Sequence, residues 1–408
     1  MKHWRRQWLM AVVVVGGLLG SAPMAQAQSC ASPYIVASGD SLWRIAQKCG
    51  TAYAALLAAN PEITPELLRI GQQINLFGAP PAPTPRAAPA PAPSGAASAS
   101  SVRGAHGLPR LMIANYMPWY DVTLWGQGAT SDVPAIPYNS GDDSTVQRHI
   151  AQGRQAGLDG FAVHWFQPGD PTDQNFQKVL AYSGGQNFFS TVTFLRHILP
   201  GASKQSVVDA LNYVRGYGGN GNVLKINGKM VIFFSDMSRV PLDGSPSAVE
   251  AWRAIRAQVD PNGDTVWIAE GLDPSYLSVF DGLYVYKIDH ACCPGSYQKA
   301  GSWAQSVRQW EARTGRPKYW IGTIMPGWDD TRSVGRPDLR APSPAFARSR
   351  DGGAYYQKTF NAVIGTSPDM IILHSFNEWI EGSQIEPSVT YGDFYLNLTA
   401  QLAARYKQ

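Results

Sequence analysis

The chain has 408 residues, of which 44% are hydrophobic and only 16% charged, with 34 basic and 30 acidic side chains. Three of the basic residues, Lys2, Arg5 and Arg6, lie in the first segment, which holds no acid, so the formal balance of +4 falls to +1 without it (4 − 3). That near neutrality excludes recognition driven by phosphate contacts, and no nucleic-acid partner is expected.

Residues 1–27 form a basic start, an apolar run from Leu9 to Leu19 and a small-x-small site, Ala25-Gln26-Ala27. This pattern predicts a secretory signal peptide, with a secreted, periplasmic or extracellular product and no membrane attachment after cleavage. The apolar run is short for a bilayer span. An exported protein allows Cys30 and Cys49 to bridge. Cys292 and Cys293 are adjacent, and their state is left open.

Residues 29–77 make a short module. A strand at Tyr34-Ile35-Val36 leads into Gly39-Asp40-Ser41-Leu42-Trp43, a helix start with Asp40 or Ser41 as cap. Two short helices end near Asn60-Pro61, and a last strand is Gln73-Ile74-Asn75-Leu76. Residues 78–106 form a further segment that is nearly all Pro, Ala, Ser and Gly from Gly78 to Ser101, a composition that cannot bury a core and predicts a semi-rigid linker.

Residues 107–408 alternate strand and helix signals. Expected strands are Leu111–Tyr116, Gly160–Trp165, Thr191–Leu195, Met230–Phe234, Val266–Glu270, Gly282–Tyr286, Tyr319–Ile324 and Ile371–Ser375. Helical patterns such as 144–156, 203–217, 247–259, 303–314 and 354–364 lie between them. About eight such units predict an α/β fold with a closed (β/α)8 TIM barrel. No Gly-x-Gly-x-x-Gly follows the first strand and no P-loop is visible, so no cofactor is expected. The seven histidines show no ligand spacing, so no metal is expected either.

Chemistry in such a barrel belongs at the C-terminal strand ends. There the expected strands deliver Tyr116, Trp119 and Tyr120, then His164 and Trp165, then Arg196, Tyr286, Trp328 and Asp329. The last strand leads into Asn377-Glu378-Trp379-Ile380-Glu381-Gly382-Ser383-Gln384-Ile385-Glu386. Paired carboxylates beside aromatic rings suit sugar chemistry: rings stack on pyranose faces and acids move protons.

The short module resembles a LysM domain in its Tyr-x-Val, Gly-Asp-Ser-Leu-Trp, Asn-Pro and Ile-Gly-Gln-x-Ile positions. The resemblance implies a βααβ fold that binds N-acetylglucosamine polymers, chiefly peptidoglycan, through loops carrying Gly39, Asp40, Ser41, Leu42, Asn60, Pro61 and Glu62. The large module resembles glycoside hydrolase family 99, the endo-acting α-mannosidases and α-mannanases, and its family 71 relatives. The matching stretches are Asn115-Tyr116-Met117-Pro118-Trp119-Tyr120, Ala156-Gly157-Leu158-Asp159-Gly160-Phe161 with His164-Trp165, Asp281-Gly282-Leu283-Tyr284-Val285-Tyr286, Pro326-Gly327-Trp328-Asp329-Asp330-Thr331 and the Asn377 to Glu386 motif. The resemblance implies that Glu378 engages the sugar 2-hydroxyl and that Glu381 is the general acid/base. It further implies a retaining route through a 1,2-anhydro sugar. Ile380 stands where the family usually has His. Arg196 lies where it commonly has a His-x-Glu-Pro stretch, which suggests a different, acidic neighbouring sugar. The expected function is a secreted endo-acting hydrolase of α-mannoside-like linkages, held at the cell wall by its LysM. The alternatives are an inverting α-1,3-glucanase-type hydrolase and a non-catalytic polysaccharide-binding barrel.

Overall fold

The computed structural model describes residues 30–37, 45, 48–49, 51, 56, 59–60, 63, 68–76, 105–336, 339 and 344–408. The expected leader, the linker up to residue 104, and Gly39, Asp40, Ser41, Leu42, Pro61 and Glu62 lie outside the described residues. The chain divides into two compact units.

In the first unit, Tyr34–Ile35 pairs antiparallel with Gln73–Ile74. Val36, Ile45, Leu56, Ile74 and Leu76 make a small core. So few apolar side chains bury little area, and a disulfide between Cys30 and Cys49 restricts the unfolded chain around them. Asn60 departs from its expected role. It is buried, its Nδ2 donates to the carbonyls of Leu56 (2.6 Å) and Asn75 (2.8 Å), and its Oδ1 accepts from Asn75 N (2.8 Å). Those bonds commit the amide to the fold instead of a glycan.

The second unit is a closed parallel barrel. Its strands are β1 (Met112–Tyr116), β2 (Gly160–Trp165), β3 (Thr191–Phe194), β4 (Lys229–Phe234), β5 (Thr265–Glu270), β6 (Gly282–Tyr284), β7 (Tyr319–Ile324) and β8 (Met370–Leu373). Each pairs with the next, and β8 pairs with β1 to close the ring. Around it run α1 (Asp143–Gln155), α2 (Pro171–Tyr182), α3 (Lys204–Arg215), α4 (Ala248–Val259), α5 (Ala300–Thr314), α6 (Ala354–Ile364) and α7 (Phe394–Lys407). After β5 the chain makes only a 3-10 turn, Pro274–Ser278. Polar caps start several helices: Asp170 accepts from Asp173 N at α2, and Ser203 and Ser206 form a reciprocal capping box at α3.

Strand alternation sorts the side chains into two cores. Ile113, Ala162, Val231, Phe233, Val266, Ile268, Tyr284, Ile321 and Ile372 fill the barrel. Their neighbours, among them Phe161, Val163, Phe234, Trp267 and Leu373, pack outward under the helices. At the C-terminal end the inward register continues to Asn115, His164, Glu270, Tyr286 and His374. β6 and β8 end two residues earlier than the sequence pattern suggests, because their last residues leave the ladder and turn into the barrel mouth.

Candidate active site

The turn after β8 carries both glutamates. Ser375 Oγ accepts from Glu378 N at 2.7 Å, and Ser383 N donates to Glu378 O at 3.1 Å, so the turn closes on itself. Asp329 N reaches from the loop after β7 to Glu381 O at 2.8 Å. Gly382 follows with φ +60°, and a Cβ there would lie 2.7 Å from Ser131 Oγ and 2.9 Å from Asp329 O. Only glycine fits such a left-handed, crowded position. Buried Arg350 donates to the carbonyls of Gly382 (2.9 Å) and Gln384 (2.8 Å) and pins the far side.

The two carboxyl groups have different surroundings. Glu378 is 5% exposed. Its Oε1 accepts from Tyr120 OH at 2.7 Å and Ile380 N at 3.0 Å. Burial, reinforced by the charge of Glu381, pushes its pKa up to about 8 despite those donors. The Glu381 side chain is 22% exposed. Its Oε2 accepts from Tyr286 OH at 3.0 Å and meets His374 Nε2 at 3.0 Å. Burial, with a further push from Lys287, lowers the His374 pKa to about 3, so the ring is neutral. Asn115 Nδ2 lies 3.4 Å from its Nδ1, which places the ring proton on Nε2, aimed at Glu381.

Trp119, 37% exposed, forms the rim, with its ring 5.6 Å from the buried His164 ring. His164 also lies 5.9 Å from the Tyr286 ring, and its Nε2 has no hydrogen-bond partner among the described residues. Burial lowers its pKa to about 3. Arg196 is half-buried at the end of β3. Thus Trp119, Tyr120, His164, Arg196, Tyr286, Glu378 and Glu381 lie at the barrel's C-terminal end.

Other residues expected to touch sugar are engaged by the fold itself. Tyr116 points outward from β1; it is fully buried against Phe161, with its OH 3.0 Å from His149 Nδ1. Trp165 also points outward, stacked on Phe194, and donates from Nε1 to Asp173 at 2.8 Å. Asn377 is buried with Oδ1 accepting from Met117 N (2.7 Å) and Nδ2 donating to Met117 O (2.9 Å). Trp379 is buried and donates to Tyr138 OH (3.2 Å) and Glu386 (3.1 Å). Glu386 lies 2.9 Å from His149 Nε2, so the motif's third carboxylate anchors the turn from behind. Trp328 is buried between Phe346 and His374, and Asp329 accepts from Thr331 while its backbone holds Glu381. The sequence reasoning missed His374. Its signal was available: it lies two residues after inward-facing Ile372, on the same side of β8.

A closed (β/α)8 barrel with two close glutamates, one dry and one wetter, beside a rim tryptophan defines the glycoside hydrolase class of barrel. The model of glycosyl hydrolase family 99 matches residues 129–401, and the LysM domain model matches residues 34–77. The chain belongs to glycosyl hydrolase family 99. It is 26% identical over 340 residues to a mouse glycoprotein endo-alpha-1,2-mannosidase-like protein, covering 76% of this chain and 66% of that one. It is 24% identical over 312 residues to the rat glycoprotein endo-alpha-1,2-mannosidase, covering 66% and 62%. The chain therefore spans about two thirds of the length of these curated relatives. The solved GH99 endo-alpha-mannosidase of Bacteroides thetaiotaomicron shares the fold, with a TM-score of 0.60 at 22% identity over 73% of this chain and 98% of that one.

Proposed function

We propose that the protein is a secreted endo-acting hydrolase of α-mannoside-like linkages in a polysaccharide, held at the cell wall by a LysM that binds peptidoglycan. The observation that supports it best is the convergence of Glu378 and Glu381 at one barrel mouth, coupled through their charges. Burial favours the protonated form of Glu378, the drier group, so that the pair has a proton to share near neutrality.

The proposed route needs no enzyme nucleophile. One carboxylate takes the proton of the 2-hydroxyl, whose oxygen attacks the anomeric carbon as the glycosidic bond breaks. The other carboxylic acid protonates the leaving oxygen, then as a base activates water to open the 1,2-anhydro sugar. Back-side attack requires a 2-hydroxyl trans to the leaving group, which α-mannosides provide and α-glucosides do not. If Glu378 meets the 2-hydroxyl, the shared proton must pass to Glu381 once substrate fills the mouth. Tyr286 and His374 keep Glu381 oriented for that exchange.

An α-mannobiosyl fluoride tests the roles, because fluoride leaves without protonation. The expected result is that Glu381→Gln regains turnover on the fluoride and Glu378→Gln does not. Rescue of Glu378→Gln instead would exchange the two roles. No turnover by wild type on α-mannans, bacterial exopolysaccharides and the fluoride would refute the enzyme reading.

A further inference from the structure

Next to the mouth, one cation is held in place without an anion among the described residues. Lys287 follows Tyr286, whose hydroxyl touches Glu381, and it is half-buried. Its Nζ lies 4.3 Å from the centroid of Trp328 and 5.3 Å from that of Phe346. Trp328 stacks on Phe346 at 5.2 Å and on His374 at 5.6 Å. The ammonium therefore lies against the Trp328 and Phe346 rings, and Trp328 in turn stacks on the imidazole that donates to Glu381. Among the described residues the ammonium has no carboxylate or hydrogen-bond acceptor.

Asp289, two residues further along the chain, is already occupied. Asp289 Oδ2 accepts from Arg348 Nε (2.9 Å), Gly295 N and Tyr355 OH, and Oδ1 accepts from His290 N, Ser296 N and Ser296 Oγ. The uncompensated charge is felt at His374 and His290, whose pKa values burial lowers first and Lys287 lowers further. Leaving a partly desolvated ammonium without an acceptor is costly, and a ligand carboxylate would remove that cost with a charge-assisted hydrogen bond. The rings already hold the ammonium in place, so little side-chain entropy is lost on binding.

We propose that Lys287 binds the carboxylate of a uronic acid next to the cleaved linkage, which makes the substrate an acidic polysaccharide. This rests on the reading of Glu378 and Glu381 as a hydrolase centre, and it names the substrate class for that centre. It also places acid recognition on the β6–β7 side of the mouth, away from Arg196 in the turn after β3.

The test separates binding from turnover. Full-length Glu381→Gln protein is titrated by tryptophan fluorescence with a glucuronic-acid-bearing α-mannan oligosaccharide and with its carboxyl-reduced form. The expected result is at least 10-fold tighter binding of the acidic form, weakening as NaCl is raised. Adding Lys287→Met should bring the two affinities within 2-fold, and Lys287→Arg should restore most of the preference. Equal affinities in the Glu381→Gln protein, or a preference that survives Lys287→Met, overturns the proposal. Wild-type turnover is measured on the same pair. Turnover of both at equal rates with no binding preference removes the acidic specificity and leaves the hydrolase standing. Binding preference without turnover of either leaves the Lys287 subsite standing and removes the hydrolase.

Discussion

Glu378 and Glu381 are the same residue type three positions apart, yet the two walls of the mouth treat them differently. The wall built from β1 and the turn itself buries Glu378, which keeps donors from Tyr120 and Ile380 but little contact with water. The wall built from β6, β7 and the end of β8 sets Glu381 against Tyr286 and His374 and leaves it partly open to solvent. Burial raises the proton affinity of Glu378, and unequal solvation is how a pair of carboxyls divides acid and base work.

The comparison breaks most visibly if either group is removed. Glu378→Gln and Glu381→Gln should each lower kcat/KM by roughly 10²–10⁴-fold on a polysaccharide substrate, measured by reducing-end release. Gly382→Ala should cost about 100-fold with a folded circular dichroism spectrum, since a Cβ there forces the turn off Asp329 and moves Glu381. A pH profile sharpens the contrast. Activity that needs one proton on the pair should fall as pH rises through about 8. Tyr120→Phe removes a donor that favours the Glu378 carboxylate, so the alkaline limb should move up in pH, with a loss of about 10-fold in rate.

Stability gives a smaller effect. The folded-state pKa of Glu378 is raised, so its ionisable carboxyl supports folding only below its unfolded value and becomes a burden as pH rises toward about 8. Glu378→Gln should therefore raise Tm at pH 8 by a few degrees, about 1–2 kcal/mol, and much less at pH 4, by differential scanning calorimetry. The smallest effect lies at the other end of the barrel. His106 sits between Asp369 (2.7 Å) and Glu311 (2.6 Å). Burial acts to lower its pKa, but the two carboxylates together raise it. Its contribution is full below the unfolded histidine value and fades as pH rises through the higher folded one. His106→Gln should flatten that slope above about pH 6.5, by well under 1 kcal/mol because the pair is partly solvated.

Much of this was legible in the sequence. The eight barrel strands appear within two residues of their expected bounds, because buried parallel strands are short apolar runs set off by turn residues. The glutamate motif was equally plain. Pleat direction was underused: Tyr116 and Trp165 end their strands as expected, but one step in register turns them away from Asn115 and His164, into the packing under the helices. The same parity points to His374. The roles of Asn377, Trp379 and Glu386 were not legible. Their partners Met117, Tyr138 and His149 lie more than two hundred residues away in the chain, and only the closed ring brings β1 beside β8.

The ring column from Phe346 through Trp328 to His374 couples the outer hairpin, where Trp328–Asp329 pairs with Ala347–Arg348, to the proton-handling centre. A shift in that hairpin would tilt the imidazole and, through Asp329 N, carry the Glu381 backbone with it. Catalytic tuning in this protein thus has a remote handle, and a mutational survey restricted to the sugar-facing surface would pass over it.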